Sequence, residues 1–201
     1  MKLITVLRIA ALAGTCSLQA QVDQAGQTVF IYVSNRSGAP QSVTYNAQMI
    51  AGKMFGAIGV NNIKWQSGAP SSSGVEDTHP IILTITDHTP DRFYPGELAS
   101  ALPFEGVHIR ILYDRLGAAV NLPNMGSILL AHVMAHEIGH MLQGVARHSA
   151  SGLMRARWTH EDYLAMQSGE LRFDPFDVKL IQNGLKNRIA RLTRIAVAAT
   201  Q

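Results

Sequence analysis

His136, Glu137 and His140 stand in the order His-Glu-x-x-His, with Ile138 and Gly139 between the outer pair. On a helix, residues four apart are separated by about 6 Å along the axis and about 40° around it. Two imidazoles at that spacing can converge on one ion, each with a nitrogen about 2.0–2.1 Å away. Glu137 then lies beside the open position of the ion and is not one of its ligands. A carboxylate placed there can take a proton from a water whose pKa a zinc ion lowers toward 7, as that water attacks a peptide carbonyl. In a chain with 8 histidines the five-residue pattern arises by chance in about 1% of cases, so its context has to decide.

A catalytic zinc takes three protein ligands, and the pattern supplies two. His132 continues the four-residue series, but it lies about 12 Å of helix rise from His140 with His136 between them, so the three cannot share an ion. It is expected as a buried or supporting histidine. His148 would be about 18 Å beyond His136 on an unbroken helix and can return only if the helix stops, and Gly144 offers that stop. Glu161, with Asp162 beside it, is the acidic candidate on a following helix, although both also suit the first turn of that helix as simple dipole partners.

The run His136, Glu137, His140, Gly144, His148, followed by Ser149 and the turn Ser151, Gly152, Leu153, Met154, resembles the metzincins. Their signature is HExxHxxGxxH with a methionine-containing turn beneath the zinc. The present chain is a lengthened variant, HExxHxxxGxxxH, with one extra residue on each side of the glycine. The resemblance implies a zincin-type α+β catalytic domain: a twisted mixed sheet, an active-site helix, the methionine turn and C-terminal helices. It further implies a zinc-dependent endopeptidase with His136, His140 and His148 on Zn2+, Glu137 as general base, and Gly144 and Met154 in support. Ala156, two residues past Met154, means that the extra tyrosine ligand of astacin-like members is absent. Two rivals stay open. One is a peptidase with Glu161 as third ligand. The other is a non-catalytic secreted module whose zinc is structural, for which Glu137 would have no use.

The elements that must position these residues can be read in outline. Residues 28 to 33 are β-branched and aromatic and stop at a turn cluster from Ser34 to Gly38, which predicts a first strand. Val43, Ala47, Ile50, Met54 and Ala57 recur at helical spacing, predicting a helix from about Ser42 to Gly59. Residues 62 to 66, 81 to 86 and 107 to 113 are predicted strands, and 67 to 78 a loop. Residues 98 to 102 are predicted as an edge strand which, on the metzincin resemblance, pairs with an extended substrate. Pro123 and Asn124 open a long helix to about Gln143. Thr159 caps a helix over 160 to 167, and Asp174-Pro175 starts a final helix. His79, His88, His108 and His160 are read as surface or packed histidines.

Composition bounds the rest. The chain has 201 residues with 47% hydrophobic and 15% charged, which suits a single catalytic domain over 21 to 201. Residues 1 to 20, with Lys2 and Arg8 around apolar residues and Ala20 at the end, resemble a secretory signal, so a secreted or periplasmic protein is expected. Cys16 is the only cysteine, and Gly14-Thr15 before it is a poor lipoprotein signal, so neither a lipid anchor nor a disulfide is expected. The formal charge of +3 falls to +1 without Lys2 and Arg8, which gives no reason to expect a nucleic-acid partner. No run of apolar residues past the signal can span a bilayer. Lys186, Arg188, Arg191 and Arg194 interleave with apolar residues as in a terminal helix packed by its apolar stripe. The expected partner is a protein or peptide substrate, the expected state a monomer. Arg155 and Arg157, close to the methionine turn, would favour acidic residues on the leaving-group side.

Overall fold

The computed structural model describes residues 28–70, 80–91, 93–119 and 125–199. The signal over 1 to 20, Cys16, His79, Pro123 and Asn124 lie outside the described residues. Five strands form one mixed sheet: β1 (Val29–Arg36), β2 (Ile63–Ser67), β3 (Ile81–Thr86), β4 (Ala99–Ala101) and β5 (His108–Leu112). Their spatial order is β2-β1-β3-β5-β4. The first four neighbours in that order run parallel, and β4 closes one edge antiparallel to β5, with Ser100 opposite Arg110.

Burial alternates along β1 and β3, with Val29, Ile31, Val33 and Ile81, Leu83, Ile85 turned into the core. That period of two marks a sheet with one face fully covered. Helices α1 (Gln41–Gly56) and α3 (Met125–Gln143) supply residues to the same core cluster. The remaining helices are α2 (Tyr113–Ala119), α4 (His160–Ser168) and α5 (Pro175–Ala199).

Several boundaries differ from the sequence expectation for local reasons. β1 runs on through Ser34 and Asn35 to Arg36 because these residues pair with Thr84, Ile85 and Thr86 of β3, and ladder partners outweigh turn composition. Helix α1 ends at Gly56, and the chain turns through Gly59 at a φ of 83°, a conformation open to glycine at little cost. Its buried face is Thr44, Ala47, Ala51 and Phe55, and the expected Val43, Ile50 and Met54 flank that face, partly buried. Ala57 is exposed. Tyr113 leaves the strand and opens α2, in which Asp114 accepts the Thr89 hydroxyl and Leu116 is buried.

Helix α3 is buried on every side from Leu129 to Gln143, as a helix that is apolar all round must be. Close contact on two of its faces requires glycine. A Cβ on Gly139 would fall 2.7 Å from the Met154 sulfur. On the opposing partner, a Cβ on Gly184 of α5 would fall 1.7 Å from the carbonyl oxygen of Leu142. The second contact is with backbone and cannot be relieved by a rotamer change.

Gly184→Ala therefore has to push α5 away from α3. It should cost about 1–3 kcal/mol, a drop of about 2–12 °C in thermal midpoint for a chain of this size. Gly117→Ala in α2, where an added Cβ meets nothing within 4 Å, should leave the midpoint unchanged or raise it. Thermal denaturation of the two variants beside the parent checks both expectations.

Candidate metal centre and cleft

Helix α3 carries His136, Glu137 and His140 inside the protein, and all three are buried. Gly144 ends the helix at a φ of 70°, with its N–H donating to the His140 carbonyl at 2.9 Å, the left-handed stop that the sequence predicts. The chain then doubles back and brings His148 to the helix. Nitrogens of His136, His140 and His148 all lie within 4.8 Å of one another. The His148 ring is 5.4 Å from that of His136 and 4.9 Å from that of His140, centroid to centroid.

The tautomers follow from the hydrogen bonds. His136 Nδ1 is 2.8 Å from the Leu153 carbonyl, and His140 Nδ1 is 3.2 Å from the Val145 carbonyl. A carbonyl oxygen can only accept, so each Nδ1 carries the proton and each Nε2 presents a lone pair. The two Nε2 atoms face each other at 3.1 Å. Burial, reinforced by the neighbouring imidazoles, pushes His136 down to about 3 and His140 down to about 4 against the opposing pull of those carbonyls. Near neutral pH neither ring is protonated, and two lone pairs point at one spot.

That arrangement fits a cation. Two nitrogens at about 2.0–2.1 Å from a tetrahedral ion are about 3.3 Å apart, close to the separation found. His148 adds a third nitrogen, its pKa also lowered by burial. The three-histidine cluster is thus consistent with a metal ion. Glu161 is not brought to it. That residue is exposed in the first turn of α4, where its own backbone N–H and the Thr159 hydroxyl hold its carboxyl below the ordinary value. Asp162 completes a capping box with Thr159 and pairs with Arg155 at 2.9 Å, so its Oδ2 is engaged within its own segment. His132 is buried with Nδ1 on the Ile128 carbonyl at 2.7 Å and takes no part in the cluster. His88, His108 and His160 are exposed.

The floor beneath the cluster is the turn after His148. Leu153 and Met154 are fully buried, the Ser149 N–H donates to the Met154 carbonyl at 2.8 Å, and Gly152 has a φ of 74° with the Arg172 carbonyl where a Cβ would stand. The Leu153 carbonyl is shared, since Trp158 Nε1 also donates to it at 3.2 Å. Trp158 stands edge-on to His136 with ring centroids 5.6 Å apart. Over the cluster opens a cleft of about 620 Å³, bounded on one side by the segment from Tyr94 through β4 and on the other by Ala156, Arg157, Trp158 and Tyr163. Sequence spacing pointed to neither Trp158, Tyr163 nor Glu97, because no periodic pattern links them to the histidines.

Glu137 reaches from α3 toward β4, where the Ala101 N–H hydrogen-bonds its carboxyl. Burial foremost, and then the nearby charge of Glu97, raises its pKa to about 8, against the lowering effect of that N–H. The sign for stability follows directly. A group whose folded pKa lies above its unfolded value of 4.5 contributes most below the unfolded pKa, and that contribution is lost as pH rises through about 8. Metal-free parent protein should therefore lose about 1–2 kcal/mol between pH 6.5 and 8 relative to Glu137→Gln, a few degrees in thermal midpoint. Parallel midpoint curves for the two proteins would contradict this.

No family model and no curated relative matches the sequence. The fold, however, is similar to the crystal structure of archaemetzincin from Methanopyrus kandleri, with a TM-score of 0.56 at 14% identity, covering 80% of this chain and 97% of that one. The chain thus has an archaemetzincin-like fold around a three-histidine cluster of the HExxH-plus-histidine kind.

Proposed function

We propose that this chain is a zinc metalloendopeptidase in which His136, His140 and His148 hold the ion and Glu137 is the general base. The observation that carries the reading is the pair of facing Nε2 lone pairs, 3.1 Å apart with both Nδ1 atoms tied to carbonyls. Such a pair is repulsive until a cation lies between. A zinc ion there would supply Lewis-acid chemistry and bring the first proton of a water within reach of a carboxylate base near neutral pH.

The residues of this chain account for the remaining steps. Glu137, beside the cluster and buried, takes the proton from the attacking water and can return it to the leaving amine. Its burial strengthens that exchange by excluding solvent. Among the described residues β4 pairs with β5 alone, so apart from the Ala101 N–H, which holds Glu137, its other side offers main-chain groups to an extended peptide lying along the cleft. Arg155 is committed to Asp162, which leaves Arg157, exposed at the cleft wall, to favour an acidic side chain on the leaving-group side. Substrates are proteins or peptides, met after export if residues 1 to 20 act as a signal. No helix among the described residues is long and apolar enough to cross a membrane.

The competing reading as a structural zinc module is disfavoured by the open cleft and by the carboxyl beside it, since structural sites close all four positions with protein ligands. The reading with Glu161 as ligand is disfavoured by its exposure on α4.

Fluorogenic peptides should be cleaved by the metal-loaded protein and not after chelation, with zinc near one equivalent per chain. His148→Ala should lose the metal, and Glu161→Ala should keep it. Glu137→Ala should retain the metal and fold while cleavage falls by about 10²–10⁴. Unchanged cleavage by the folded, metal-loaded Glu137→Ala protein would end the enzymatic reading. In a peptide library, an acidic preference shared by the parent and Arg157→Ala would remove the role given to Arg157.

A further inference from the structure

His136 and His140 ride on a buried helix and are each fixed by a hydrogen bond from Nδ1. His148 has neither support: it lies in an exposed part of the segment after Gly144, and among the described residues its ring makes no hydrogen bond. The lengthened connection adds conformations available to the loop, and something must select the one that returns the ring to α3.

The residues on both sides of His148 are gripped by one side chain from another element. Asp177, in the first turn of α5, is fully buried. The Ser149 hydroxyl lies 2.7 Å from each of its carboxylate oxygens, the Arg147 guanidinium donates to it at 3.0 Å, and the Gln143 amide reaches it at 3.5 Å. Arg147 also donates to the Ser149 oxygen at 3.2 Å and lies over the Phe176 ring, 4.7 Å from its centroid. The three partners are the last residue of α3 and the two neighbours of the third histidine. A buried carboxylate with a charged partner and a hydroxyl donor makes stronger and more directional contacts than a surface pair. It stands in the first turn of α5, where a helix favours acidic side chains.

We infer that Asp177 is the positioning residue of the third metal ligand: by clasping Arg147 and Ser149 it fixes where His148 presents its ring to the ion. It does not touch the metal or the substrate. The inference rests on the metal-site reading above and extends it to a residue forty positions past Glu137 in sequence.

The test is cobalt titration of the metal-free protein, followed by the visible ligand-field absorption, whose intensity and position report the number and geometry of the ligands. Parent protein should bind one equivalent with a four-coordinate spectrum. Absence of any binding by the parent would refute the metal site itself and not the clasp. Asp177→Ala should weaken cobalt about 10–100-fold, the usual effect of removing a partner that orients a ligand, and shift the band toward a site short of one nitrogen. Asp177→Asn, which can still accept from Ser149 and Arg147, should stay within a few-fold of the parent with the parent spectrum. Ile181→Val, a core trim in the same helix, lowers the thermal midpoint and should leave affinity and spectrum untouched. If folded Asp177→Ala matches the parent in both, or if Asn and Ala lose equally, the positioning role is wrong. Should Asp177→Ala not fold, Ser149→Ala decides in its place, with weakened cobalt binding expected and parental binding overturning the inference.

Discussion

Everything in this molecule is arranged around two imidazole nitrogens that would repel each other if nothing lay between them. The Leu153 and Val145 carbonyls lock His136 and His140 into the tautomer with the proton on Nδ1, and burial keeps both rings neutral. The electrostatic cost of two facing lone pairs is thereby built into the fold, and a cation between them would offset it. The two carbonyls come from the very segments that must also carry His148 and Met154, so the same short stretch orients two histidines and delivers the third. Loop and ligands are therefore one mechanical unit.

That unit is held in place by the burial of α3. A helix enclosed from Leu129 to Gln143 cannot roll or slide without opening the core, and its neighbours come close enough to require glycine at Gly139 and Gly184. Packing at crystal-like density transmits small shifts instead of absorbing them. On one side the helix presents His136 and His140 to the cleft, on another it rests on α5, and α5 returns Asp177 to the loop beyond the helix end. The sheet contributes differently. Its parallel strands form the wall of the core, while antiparallel β4, short and open on one side, forms the upper lip of the cleft and touches Glu137 through the Ala101 N–H. A carboxyl so enclosed prefers its proton in the absence of a cation. A divalent charge close by would favour ionisation.

Much of this was legible in the chain. Helical spacing of His136 and His140 with Glu137 between them, the left-handed glycine at 144, the cap at Thr159 and the proline opening the last helix are local signals whose physics involves a few neighbouring residues. All appear where expected. The strands at 28 to 33 and 81 to 86 were visible by their β-branched runs, because such residues suit a sheet with one face fully covered and the other partly so. Less visible were the extension of β1 to Arg36, which depends on pairing with Thr86, and the short helix α2, hidden because Tyr113 continues the alternation of the strand before it. The inward face of α1 was misplaced by part of a turn. Several positions around that helix are apolar, and only the core closed with α3 selects Ala51 and Phe55 over Ala57.

The sequence by itself determined the chemistry: which residue types could grip an ion, at what spacing, and where the helix bearing two of them must stop. Those are consequences of helical geometry and glycine's freedom, and they hold in any fold. The tertiary structure alone decided that His148 and not Glu161 comes back to the pair, that Arg155 is neutralised by Asp162 while Arg157 is left at the cleft, and that a buried aspartate on the last helix holds the returning loop. Contacts such as Arg155 with Asp162 and Arg147 with Asp177, seven and thirty positions apart, leave no period in a sequence. They arise when the core closes and buried polar groups must find partners.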